Sequence, residues 1–209
     1  MSRRRPDGIE HLQVDLSSPS SWSTVDRSFR HELAGFSGDR VVFVHAAGVV
    51  EPIGFAGETD TEAYQANVLL NSASPQVLGH LFLGAVRAVE ASCHLVILTS
   101  GAAGSVYPGW SAYGAGKAAV DHWVRHVGAE QSLRGGVQVL AVAPGTVDTG
   151  MQAQIRATEA ADFPQRQKFL DLYESGGLTN PEDVARRIWA LLDRGLDTGS
   201  VVDLRNTPS

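Results

Sequence analysis

Short apolar runs rich in valine, isoleucine and leucine alternate along this chain with longer stretches of helical period, and that alternation most restricts the folds open to it. Strands joined by crossover helices build a parallel sheet with helices on its faces. The candidate strands are His11–Val14, Arg40–His45, His94–Thr99, Val137–Ala143 and Ser200–Leu204. Their near-continuous hydrophobicity predicts burial on both sides. Candidate helices cover Pro19–Ala34, Thr61–Ser92 with a break near Pro75, Tyr113–Leu133, a variable stretch within Met151–Glu174, and Pro181–Asp193. The last has a clear start: Asn180 can cap it, Pro181 suits its first turn, and Glu182 and Asp183 favour its dipole.

Length and composition narrow the class further. A chain of 209 residues, 43% hydrophobic, is expected to form one domain spanning 1–209, without repeats or linkers. A net charge of −6 argues against general binding to nucleic acid or to an acidic membrane. The single cysteine, Cys93, excludes an intramolecular disulfide framework and is read as a plain buried thiol. No apolar run approaches the roughly 18 residues needed to span a bilayer. The arginine-rich start lacks a signal peptide's apolar core, so a cytoplasmic protein is expected.

The residues that carry chemistry are Ser100, Tyr113 and Lys117. On a helix, residues four apart share a face, so the Lys117 ammonium can sit beneath the Tyr113 phenol and draw its pKa down from about 10. Ser100, at the end of a strand, can hold a carbonyl oxygen while Tyr113 protonates it. Its neighbour Thr99 competes for that role, but adjacent strand residues face opposite ways and the spacing prefers Ser100. Hydride transfer is the reaction class this trio suggests.

Ser100 thirteen residues before Tyr113-Gly114-Ala115-Gly116-Lys117, followed by Pro144-Gly145-Thr146-Val147-Asp148-Thr149, resembles the short-chain dehydrogenase/reductase family over nearly the whole chain. Gly109–Tyr113, Met151-Gln152, Ile155-Arg156 and Gly199–Asp203 look most like its sepiapterin and benzil reductase branch. The resemblance implies a three-layer, Rossmann-like, doubly wound parallel sheet, with residues 150–176 as a mobile lid over the substrate pocket. It also implies an NADP-dependent reduction of a ketone or dicarbonyl, with NAD as the other possible cofactor, and a homodimer or homotetramer built on the long helices. Val120, Trp123 and Val127 are compatible with that interface and equally with a core face.

The family's fourth active-site position, a water-holding asparagine, falls on Asn71 rather than Asn67, because Pro75 stands four residues later. For the cofactor, the resemblance assigns Asp15 and Leu16 to the adenine, and Ala46, Ala47 and Gly48 to the adenosine. Pro144, Gly145, Val147 and Thr149 fall along the nicotinamide, beside Tyr113 and Lys117. Arg3 and Arg4 are candidates for a 2′-phosphate, since a guanidinium matches phosphate by paired hydrogen bonds.

Three departures stand out. His45 and Ala46 replace asparagines that brace the family's strand, which puts local rigidity in question; His45 itself reads as a core histidine. No glycine-rich phosphate turn precedes His11, so the chain is expected to begin two strands and a helix late, leaving Arg40–His45 as a sheet edge. A start upstream of Met1, a fragment, or a new pairing of His11–Val14 with Arg40–His45 would each account for this. The alternative function is an inactive binding or dimerising module. Ser111–Lys117 imitates a nucleotide-phosphate loop but lacks its first glycine and its metal-binding hydroxyl. No histidine grouping suggests a metal; His122 and His126 read as a solvated helix face.

Overall fold

The computed structural model describes residues 8–207. Four parallel strands lie in the order β1 (Arg40–His45), β2 (Ser92–Leu98), β3 (Gln138–Ala143), β4 (Val201–Asp203). Register runs His45 to Ile97, Ile97 to Ala141 and Ala141 to Val201, so the strand ends bearing the site lie side by side. The helices are α1 (Trp22–Leu33), α2 (Thr61–Val68), α3 (Ser74–Ala85), α4 (Ser111–Arg134), α5 (Gly150–Ala157), α6 (Arg166–Glu174) and α7 (Pro181–Leu192).

Alternate strand residues feed two cores, which gives the fold its three layers. Phe43, Leu95, Ile97, Val139 and Ala141 meet Val25 of α1, Leu78 and Phe82 of α3, and Val120, Val124 and Val127 of α4. Val96, Leu140 and Val142 face the other way, onto Val184, Ile188 and Leu191 of α7. This is the doubly wound Rossmann-like arrangement expected of the motif pattern. Full burial of one such aliphatic side chain is worth roughly 1.5–3 kcal/mol, and four residues of β2 (His94 to Ile97) are buried.

The first expected strand is not one. His11–Val14 is irregular and does not pair with β1; Leu12 and Val14 instead pack against the core from outside the sheet. β1 pairs only with β2, and among the described residues its other edge carries no strand. Of the three residues read as core or interface, Val120 and Val127 are buried in the core, and Trp123 is half-buried against it with its ring over Gly79.

The expected long helix Thr61–Ser92 is two helices joined by one wide π-helical turn, Leu69–Ala73, and it stops at Ala85 because Ser92 already begins β2. Pro75 explains the wide turn. It has no N–H to give, and its ring displaces the carbonyl four residues back, that of Asn71. At α7 the Asn180 side chain accepts from Glu182 N at 2.8 Å, as its position predicted. No described helix is long and apolar enough to cross a membrane.

Candidate active site

The C-terminal ends of β1, β2 and β3 open onto a cavity of about 610 Å³, lined by Ser100, Tyr113, Lys117, Gly48, Pro144, Gly145, Val147 and Thr149 among others. Ser100 leaves β2 in an extended conformation, and its hydroxyl accepts from Ala102 N at 3.2 Å. It lines the same cavity as the Tyr113 side chain. Tyr113 is 7% exposed and Lys117 5%, so α4 turns both inward. The Lys117 ammonium donates to Leu98 O at 2.8 Å and lies 5.8 Å from the Tyr113 ring centroid.

Burial dominates the electrostatics. It pushes the Tyr113 phenol above its usual range, with the nearby Ser100 hydroxyl opposing. The expected lowering of that phenol by Lys117 is therefore not what governs it. Burial also brings Lys117 down to about 8, against the Asp121 charge that raises it. A lysine that titrates near neutrality is a responsive neighbour for a proton donor.

Asn71 sits in the π-helical turn, against Gly116 of α4. Its amide donates to Val49 O at 2.7 Å and accepts from Val49 N at 3.2 Å. It also donates to Asn67 Oδ1 at 2.8 Å, while Asn67 donates to Glu51 O at 2.7 Å. The two candidate asparagines thus latch the same loop, and Asn71 is the one nearer Lys117. A Cβ built on Gly48 would come within 3.0 Å of Asn71 Oδ1 and 3.5 Å of Lys117 Nζ, so the loop fits only because that position is bare. The brace that the replaced asparagines would give is supplied by His45, buried, whose Nε2 lies 3.1 Å from Ser74 Oγ on α3.

A second cavity, about 590 Å³, lies on the other side of the Ala46–Gly48 segment and is lined by Asp15, Leu16, Ala46, Ala47 and Gly48. Asp15 accepts from Ser17 N at 2.9 Å. The two cavities share Val44, Ala46 and Gly48. Two clefts joined over a segment without side chains fit the two ends of a dinucleotide. Among the described residues no glycine-rich turn is placed to hold its phosphates, and Arg3 and Arg4 lie outside the described residues.

Residues 150–176 cover the first cavity from above. Ile155, Phe163 and Phe169 are buried with Tyr107, Trp110 and Tyr113, and Phe163 stacks on Trp110 at 4.6 Å. Tyr173 points outward, 53% exposed, with the Arg156 guanidinium over its ring at 4.0 Å. Val147 bridges to Thr179, and Thr149 caps α5 while its hydroxyl donates to Val147 O at 3.3 Å. His122 and His126 are exposed on α4, with their Nε2 atoms 3.1 Å apart. Cys93 is half-buried rather than buried, and desolvation raises its pKa.

Among the lining residues that sequence reading missed, two are cationic. Arg205, held by both oxygens of Asp203, packs against Gly101 and Gly145. Lys168 donates to the Tyr107 hydroxyl at 2.8 Å. Arg205 follows the last strand, so only the β3–β4 pairing reveals its proximity; nothing in the local sequence signals it.

A doubly wound parallel sheet with a Ser-Tyr-Lys constellation at its strand ends defines a class, and the short chain dehydrogenase family matches residues 3–160. The chain belongs to that family of oxidoreductases. It is similar to the benzil reductase ((S)-benzoin forming) of Bacillus subtilis (strain 168), 34% identical over 197 residues, covering 92% of this chain and 80% of that protein. The sepiapterin reductase of Xenopus laevis is 29% identical over 188 residues, covering 88% and 70%. A solved short chain dehydrogenase/reductase from Saccharomyces cerevisiae superposes with a TM-score of 0.77 at 26% identity, covering 94% of this chain and 76% of the other.

Proposed function

We propose that the protein is an NADP(H)-dependent reductase of an activated ketone or dicarbonyl, with Tyr113 as the proton donor. The observation that carries this reading is the Tyr113 phenol, buried on the face of α4 that also turns Lys117 inward and sharing one cavity with Ser100. The identity to benzil reductases supports a dicarbonyl. So does the pocket wall, where the Trp110 Nε1 donor is buried without a hydrogen-bond partner amid aromatic rings. A substrate bringing a second oxygen suits such a wall better than a plain hydrocarbon ketone.

The nicotinamide cofactor, when bound, supplies the hydride. The chain does the rest. Ser100 and Tyr113 hold the carbonyl oxygen, and Tyr113 Oη gives up its proton as negative charge develops there. Lys117 stabilises the phenolate that remains, and Asn71 would order a water beside the lysine. Pro144, Gly145, Val147 and Thr149 would line the nicotinamide; Asp15, Leu16, Ala46, Ala47 and Gly48 would take the adenosine end. Residues 150–176 exclude water from above. We assign the chain to the cytoplasm, which the lone unpaired Cys93 supports. Homodimers or homotetramers are the expected assembly, in keeping with the family.

The test is NADPH oxidation with a 1,2-diketone, alongside Tyr113→Phe. A single positioned acid contributes about 10²–10⁴-fold, and the variant should lose that much while keeping its circular-dichroism spectrum. A folded protein that binds neither NADPH nor NADH would instead be an inactive family member serving as a binding module.

A further inference from the structure

The cavity at the strand ends carries more positive charge than the proposed reaction uses. Among the described residues that line it none is Asp or Glu, while Lys117, Arg205 and Lys168 are cationic. Lys117 belongs to the proton-transfer site, and Arg205 is neutralised by both oxygens of Asp203. Lys168 is different. Among the described residues no ion pair includes it, and its ammonium donates to a neutral group, the Tyr107 hydroxyl, at 2.8 Å.

Tyr107 is the more informative half of that pair. Its oxygen accepts from Lys168, so its own proton remains for another acceptor. The Tyr107 ring packs on Trp110 with centroids 4.9 Å apart, and Trp110 packs on Tyr113 at 5.5 Å. The Lys168–Tyr107 pair and the reacting phenol therefore flank one indole. That indole's Nε1 donor is itself buried without a hydrogen-bond partner. Ammonium, phenol and indole N–H thus line one cavity as donors, and no carboxylate of the described lining answers them. A buried donor without an acceptor is costly, which marks a place for one.

The ammonium is held in position. Its Nζ lies 5.0 Å from the Tyr107 ring centroid and 5.9 Å from that of Phe169, whose ring is buried in the same wall. Aromatic faces steady a cation without cancelling its charge. Met151, Ile155 and Leu172 supply apolar wall nearby, where a charge is screened less than on open surface. Lys168 itself stays solvent-exposed, so an anion can meet it without stranding a charge in the interior.

We propose that the compound reduced here is an oxo-acid: its ketone oxygen sits at Ser100 and Tyr113, and its carboxylate is received by Lys168 and Tyr107. The proposal rests on the carbonyl-reducing roles of Ser100 and Tyr113 and narrows the activated carbonyl to an anionic one. Reduction of the ketone by NADPH and the Tyr113 proton gives a hydroxy acid and oxidised nicotinamide, and the carboxylate is unchanged.

Benzoylformate and its methyl ester share one 2-oxo group and differ in one charge, so the ratio of their kcat/KM values with NADPH reads recognition of the carboxylate. The unsubstituted protein should favour the acid, although the ester is the better electrophile. In Lys168→Met the acid-to-ester ratio should fall at least about tenfold, the order expected of one charge-assisted hydrogen bond, and Lys168→Arg should keep most of it. Added salt should lower the ratio as well. Preference for the ester in the unsubstituted protein overturns the proposal. So does a ratio unmoved by Lys168→Met, as when both compounds lose equally because the lysine serves the cofactor. Calorimetric titration with benzoylformate needs no turnover, so it separates this proposal from the reaction it rests on. Binding weakened at least about tenfold in Lys168→Met supports the carboxylate site even in a protein that reduces neither compound, and equal binding by the two forms overturns it.

Discussion

Lys117 is anchored to Leu98 O at 2.8 Å, on the strand that delivers Ser100, although it belongs to the helix that delivers Tyr113. One ammonium therefore joins the two elements whose relative position would set the proposed proton transfer. Replacing it with an apolar chain of similar length should separate two effects. Lys117→Met should lose activity by at least about 10²-fold. It should also gain stability at pH 7. A pKa of about 8 in the fold against an ordinary 10.5 means the charged form is disfavoured by on the order of 3 kcal/mol. The unfolded chain binds more protons between those values, so native stability rises with pH from about 8 to 10.5, and denaturant melts should show that rise vanish in Lys117→Met.

His45 sets the acid limit. Its pKa falls to about 4, first from burial and then from the Lys117 charge. An ordinary histidine titrates near 6.5, so the unfolded state takes up a proton that the fold refuses between those values. Stability should fall as pH drops from 6.5 towards 4, by on the order of 3 kcal/mol. Urea midpoints of His45→Gln across this range should slope less than those of the unsubstituted protein.

The two asparagines of the π-helical region should come apart under mutation. Asn67 donates to Glu51 O at 2.7 Å, while Val49 O keeps its bond from Asn71; Asn67→Ala orphans the Glu51 carbonyl and should cost about 1–3 kcal/mol with kcat nearly unchanged. Asn71→Ala, beside Gly48 and Lys117, should cost a similar amount and also lower kcat at least about tenfold. Thermal melts and steady-state kinetics on both variants decide this, and equal kcat values would count against Asn71 as an active-site residue.

Gly128 is the tightest contact of α4. A Cβ there would lie 2.1 Å from Gly199 Cα and 2.3 Å from Gly199 N, a backbone that cannot swing aside as a side chain would. Gly128→Ala should destabilise by about 3 kcal/mol or more despite alanine's better helix propensity. A denaturant midpoint unchanged or raised would contradict the packing.

Much of this architecture was legible in the chain. The runs that became β1 to β4 carry their own burial pattern, and Asn180-Pro181-Glu182 announces α7 in three letters. What escaped reading depended on neighbours. His11–Val14 looks as strand-like as β4, but hydrophobicity marks only what wants burial, and Leu12 and Val14 find it against the core without pairing. Val120, Trp123 and Val127 have a spacing that suits a core or an interface alike; only the sheet beneath them decides. Ser100, Tyr113 and Lys117 were recoverable because helix period and strand alternation constrain them locally. Lys168 and Arg205 were not, since one needs the packing of α6 over Tyr107 and the other the pairing of the last strand to acquire meaning.

The bare Ala46–Gly48 segment separates two compartments that have only Val44, Ala46 and Gly48 in common. A dinucleotide laid across it would put one end beside Asp15 and the other beside Tyr113, each met by its own set of side chains. Substitutions on the Asp15 side could redirect nucleotide preference without disturbing the acid, and changes among the aromatic rings could alter the accepted carbonyl without touching nucleotide choice. A scaffold divided in this way can diversify along two axes independently.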